Sequence, residues 1–142
     1  MNDRYLYKAK RKHDSKFFKK GEWVEGAYYI EPYTDKCFII QWNSTGLGFN
    51  EFIEVDGESV CQCTGLKDKN GKLIWENDIM VAHLDDRFPE DATYTRVVWN
   101  NNGFCTKEQG SEDIFPLDKF DQDNFEVCGN LFDNQELLEV GE

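Results

Sequence analysis

The chain predicts a mainly β protein, a meander of antiparallel hairpins or a small barrel with few short helices. Three observations predict it. Paired residues that tolerate positive φ stand between apolar runs at Asp56-Gly57, Asn70-Gly71 and Asn102-Gly103, the strongest short-range signal for antiparallel pairing. β-Branched and aromatic residues come in short runs between turn residues. Helical periodicity is scarce, which argues against βαβ units.

In order, Tyr5-Leu6-Tyr7-Lys8-Ala9 reads as an opening strand. Glu22 to Ile30 reads as a longer one in which Gly26 marks a bend. The basic segment Lys10 to Lys20 between them reads first as a solvated loop and second as an arm for an acidic partner. Asp56-Gly57 would join Phe52-Ile53-Glu54-Val55 to Ser59-Val60-Cys61-Gln62, and Asn70-Gly71 would join Leu66 to Lys69 with Lys72 to Trp75. Thr64-Gly65 reads as a strand end. Ile74 and Trp75 would point to opposite faces, and Asn77-Asp78 would bend the chain into Ile79-Met80-Val81. Asp78 is read as a carboxylate that bonds amides of that bend, ahead of any catalytic role.

Asp85 to Asp91 reads as a loop or single turn. Asn102-Gly103 would join Tyr94 to Trp99 with Phe104-Cys105-Thr106. The stretch from Gln109 to Asn124 lacks alternation and reads as a long exposed connection. Asp133 to Leu138 would begin a short helix capped by Asp133 or Asn134.

At 142 residues the chain suits one domain able to hold a core without staples. The five cysteines, with no charged leader and apolar run ahead of them, fit reduced thiols in a cytoplasm. No apolar run approaches the roughly 20 residues that cross a bilayer, so no membrane association is expected. Charge is split. Residues 1 to 20 carry eight Lys or Arg against Asp3 and Asp14, a net of +6, while the remainder carries −18 of the total of −12. Such an acidic body repels phosphate backbones, leaving Lys10 to Lys20 as the one place for nucleic acid.

Few constellations carry chemistry. Cys61 and Cys63 share a strand face at about the outer limit of disulfide reach with side chains running parallel, which disfavours a mutual disulfide, and buried free thiols are favoured over a zinc site completed by Cys37, Cys105, Cys128 or His83. His13 and His83 titrate near neutrality, yet no mechanistic motif accompanies them. The acidic pairs Asp85-Asp86, Glu90-Asp91, Glu112-Asp113 and Asp121 to Asp123 lack calcium-loop spacing and read as a solvated face. Aromatic residues outnumber what one small core absorbs, so some should line a groove or subunit interface. No catalytic residue, metal or cofactor is assigned; the binding candidates are Trp23, Trp75, Trp99 and Asp78.

The stretch Thr64 to Met80, with Gly-Leu-Lys-Asp-Lys-Asn-Gly-Lys-Leu-Ile-Trp-Glu-Asn-Asp-Ile inside it, resembles the signature of the phage and prophage YopX family. Tyr5 to Lys10, Gly21 to Gly26, Val97-Val98-Trp99 and Glu126 to Leu138 resemble further family elements in the same order. Asn77 stands where the family has Gly, and Gln135 where it has Pro; Asn accepts positive φ, so the turn should survive. The resemblance implies a single domain over 1–142, with an N-terminal β part over 1–60 and an SH3-like roll over 61–142. It also implies a phage or prophage origin, action inside a bacterial host cell, and no assigned activity. The expectation is a non-enzymatic binding or assembly protein whose partner is itself, as a homo-oligomer, or a host or phage protein. One alternative is an acidic antagonist of a host nucleic-acid-binding protein. The other is a small hydrolase or thiol enzyme using Cys61, Cys63 or His83.

Overall fold

Eleven strands and one helix follow one another in the computed structural model, which describes residues 6–41, 51–85, 87–88, 90–101 and 103–138. The strands are β1 (Tyr7–Lys10), β2 (Trp23–Ile30), β3 (Cys37–Gln41), β4 (Glu51–Val55), β5 (Cys61–Lys67), β6 (Leu73–Trp75), β7 (Asp78–Ala82), β8 (Thr93–Asn100), β9 (Gly103–Glu108), β10 (Ile114–Pro116) and β11 (Glu126–Asn130). Helix α1 is Lys119–Asn124, and 3-10 turns cover Gly57–Ser59 and Gln135–Leu138. The mainly β expectation holds. The chain divides into two compact units, Met1–Cys63 and Thr64–Glu142. Tyr5, named in the sequence reading, lies outside the described residues, as do Asp86 and Asn102 of the predicted acidic pair and hairpin.

In the first unit the strands run β4-β3-β2-β1, and the start of β5 pairs with β1. Alternation sets what each strand buries. Ala9, Val24, Ile39 and Val55 form the core, with Tyr7, Tyr28, Cys37, Ile53 and Val60 packed on it. Removing a large aliphatic side chain such as Ile39 from water is worth about 2 kcal/mol. Just past β1, Arg11 bridges Val55, Lys12 N donates to Glu54 O at 3.1 Å and Asp56 N donates to Lys10 O at 2.9 Å. The sheet therefore curls until the chain leaving β1 meets the edge strand β4.

The Asp56-Gly57 hairpin is also corrected. Asp56 Oδ1 accepts from Glu58 N at 3.1 Å, and Ser59 Oγ donates to Asp56 O at 2.7 Å. These side-chain bonds favour a 3-10 turn with Gly57 outside the positive-φ region. β4 is thus paired with β3, while β5 leaves the turn to pair with β1.

In the second unit the order is β10-β9-β8-β7-β11, all antiparallel. Its core is Ile74, Met80, Ala82, Val97 and Phe125, with Leu66, Phe104, Leu117 and Val127 packed against it. The Asn70-Gly71 hairpin forms as a turn in which Gly71 N donates to Asp68 O at 3.0 Å and Gly71 takes φ of 82°. β8 and β9 pair up to Asn100↔Gly103, as the second hairpin requires. The strand end expected at Thr64-Gly65 is absent: β5 continues to Lys67, with Gly65 at a φ of 80° inside it. Asn77 adopts φ of 71°, so Asn does replace Gly there.

The predicted long connection from Gln109 to Asn124 contains β10 and α1. β10 is three exposed residues paired with β9, too short to show alternation. α1 has six residues, too few for a period, and its sequence signal is the cap. Asp118 Oδ1 accepts from Asp121 N at 3.3 Å while Asp121 Oδ2 accepts from Asp118 N at 3.1 Å, a capping box with Asp where Glu or Gln usually stands. At the carboxy-terminal side a 3-10 turn begins one residue after Asn134. The Asn134 side chain accepts from Asn130 N rather than capping a helix.

Candidate functional site

Within the second unit, β8, β9, β10 and α1 enclose a groove of about 300 Å³. Pro116 is the last residue of β10 and offers no ladder donor of its own, while Leu117 N after it donates to Phe104 O at 3.1 Å. The chain then turns at Asp118 into α1. Phe120 projects outward, 55% exposed, while Phe125 just past the helix is buried in the core. Phe115 and Leu84 add to the apolar wall, and both are exposed. Thr95 and Thr106, from neighbouring strands, form a polar floor. Thr95 is 5% exposed, and its Oγ1 is a buried hydroxyl with no hydrogen-bond partner. Such a group is costly unless something meets it.

The groove's charge is one-signed. Glu108, Asp118 and Asp121 line it, and among the described residues no Lys or Arg does. Burial pushes the Asp121 carboxyl above the ordinary 3.8, and the neighbouring Asp118 charge adds to the rise. The protonated form is therefore favoured by folding. That contribution is complete below pH 3.8 and is lost as pH rises through the elevated folded-state value. At neutral pH the ionised Asp121 destabilises. Asp121→Asn should accordingly melt higher than wild type at pH 7, with the advantage gone at pH 3; equal advantages at both pH values in a thermal melt would contradict this.

Three of the four predicted binding residues, Trp75, Asp78 and Trp99, belong to the second unit. Trp75 and Asp78 meet at the β6–β7 bend, where Trp75 N donates to Asp78 Oδ2 at 2.8 Å. Both are buried, so they build the bend and present no surface. Trp99 stands at the far end of β8, 55% exposed, its ring edge-on to Phe104 at 4.9 Å. Trp23 belongs to the first unit, where the Lys8 and Lys10 ammonium groups lie 4.8 and 5.4 Å from its ring centroid. Thr95, Phe120 and Asp121 were not singled out as site residues; the Asp118-x-x-Asp121 cap was the available signal.

Other side chains have structural partners. His13 Nε2 lies 2.9 Å from Glu54 Oε1, and that hydrogen bond holds the Glu54 carboxyl below its usual value. His83 Nδ1 bonds the Asp91 carbonyl at 3.0 Å. Cys61 and Cys63 are buried in β5 and form no disulfide. Tyr28 Oη donates to Cys37 Sγ at 3.3 Å, and burial together with that bond pushes the phenol up to about 12. Among the described residues no three His, Cys, Asp or Glu gather as a metal site, and no helix is long and apolar enough to cross a membrane.

The basic segment is an ordered loop. Ser15 N donates to Phe18 O, Lys20 N to Asp14 Oδ1 (both 2.8 Å), and Gly21 N to Arg11 O at 2.9 Å. Arg11 packs its guanidinium 4.0 Å from the Phe18 ring centroid. Phe17 is left at the tip, 79% exposed.

A family model described as YopX protein matches residues 7–139. No curated protein matches the chain. Among solved structures, protein EF1440 from Enterococcus faecalis is similar, with a TM-score of 0.53 and 21% identity over 94% of this chain and 96% of that one. At that identity the likeness concerns the fold alone.

Proposed function

The chain belongs to the YopX family, and from that premise we propose that it is a non-enzymatic binding and assembly protein whose groove takes a partner segment that is both apolar and basic. One observation carries the reading: exposed Phe115 and Phe120 stand beside a buried carboxylate in a groove that, among the described residues, no cation lines. Apolar walls supply affinity through buried area, and one-signed charge selects the partner. The carboxylates face a binding task rather than a chemical one, since Asp118 and Asp121 each accept an amide of the other's backbone. Their geometry is fixed by the helix cap, not by a reacting atom.

Peptide display against the immobilised full chain tests this. Recovered peptides should pair an aromatic or large aliphatic residue with Lys or Arg, and their affinity should fall at least about tenfold in Phe120→Lys, the loss of one buried aromatic contact. Recovery of acidic peptides, or equal binding to Phe120→Lys, would discard the proposal.

A further inference from the structure

We infer that the occupant of the groove is the Phe17 tip of a second copy of this chain, so that copies join tip to groove. The inference rests on the groove reading above and adds the identity of the partner. Two surfaces on the same sequence complement each other. One is the acidic, aromatic-walled cavity of about 300 Å³, at the lower end of pockets that hold a small ligand and suited to one aromatic side chain. The other is the tip Lys16-Phe17-Phe18-Lys19-Lys20.

In that tip a large apolar ring is 79% exposed although the loop around it is tied down by backbone and Asp14 bonds. An ordered loop that holds an aromatic ring in water loses little entropy on docking, as a preorganised anchor should. Lys16 Nζ lies 5.4 Å from the Phe17 ring centroid, and Lys19 and Lys20 follow within three residues. The cations would therefore arrive with the ring beside Glu108, Asp118 and Asp121. Whole copies, each at −12, repel at long range, but salt reduces that repulsion beyond a Debye length of about 8 Å. The local pairing of unlike charges acts inside that distance.

The contact joins two different surfaces, so it either closes reciprocally in a two-fold dimer or propagates into a ring or an open chain. Sedimentation of the full chain across concentration should show self-association to a dimer or beyond. Phe17→Glu and Phe120→Lys each alter an exposed ring, and each should weaken self-association at least about tenfold. Mixed in equal amounts, the two variants retain one intact tip and one intact groove between them. They should form a one-to-one dimer and nothing larger.

A wild-type chain that stays monomeric, a Phe17→Glu variant that assembles like wild type, or a mixture that yields no heterodimer would each overturn the inference. If self-assembly fails while displayed basic peptides still need Phe120, the groove reading survives and its occupant is a different protein. If those peptides bind Phe120→Lys unchanged, the groove reading itself has failed.

Discussion

Asp68→Ala is expected to destabilise the second unit by about 3 kcal/mol, lowering its melting point by roughly 12 to 24 °C. Asp68 is 6% exposed and divides its carboxylate between two structures. Oδ1 accepts from Asn70 N and Lys72 N, both at 2.9 Å, which closes the β5–β6 turn; Oδ2 accepts from Val127 N at 2.8 Å, which ties that turn to β11. Hydrogen bonds to a charged acceptor contribute about 1.5 to 3 kcal/mol each in partly buried settings, and less where water reaches the freed donor. Asn70 and Lys72 are exposed and can be rehydrated, so the estimate stays well below a threefold sum. Asp68→Asn should fall between wild type and Ala, because the amide keeps one acceptor for the turn but turns a donor toward Val127 N. Urea unfolding followed by circular dichroism measures the effect, and hydrogen exchange at Val127 locates it. A loss under about 0.5 kcal/mol would mean that the carboxylate does not hold β11.

Those three bonds also show what can be read from a sequence and what cannot. The turn at Asp68 to Gly71 was legible because φ preferences are local: Gly71 needs positive φ, and so does Asn77. The bond to Val127 was not, since 59 residues separate the two and nothing near Asp68 announces β11. The same contrast explains the misplaced hairpin. Asp56-Gly57 has the letters of a tight turn, yet the decisive group is Ser59, whose hydroxyl accepts from Lys10 N at 2.8 Å across 49 residues. Of the groove, only the acidic character was visible. Its wall needs β10 and α1, elements too short for periodicity, and its polar floor joins Thr95 to Thr106 from neighbouring strands. Trp75 and Asp78 stood out as binding candidates because they are conspicuous residue types; burial makes them scaffold.

The first unit has its own steric test in Gly26→Ala, expected to destabilise by about 3 kcal/mol. Gly26 pairs with Tyr7 on one side and lies beside β3 on the other. A Cβ there would run into the carbonyl oxygen of Ile40 and the Cγ2 of Ile39. A side-chain end can swing away, but Ile40 O belongs to backbone whose residue pairs with Ala27 in the β2–β3 ladder, so relief requires the strands to part. The sequence reading assigned this glycine to a bend; its role is to let two backbones approach closely. Gly21→Ala separates the two ways a glycine can matter. It has open space around its absent Cβ but a φ of 91°, so its penalty is conformational, about 1 to 2 kcal/mol, and should leave the β2–β3 amides protected. Gly26→Ala should instead speed hydrogen exchange at Ala27, Ile39 and Ile40 even in the folded protein. Wild-type protection at those amides in Gly26→Ala would show that β2 and β3 do not lie as close as the Ile40 carbonyl places them.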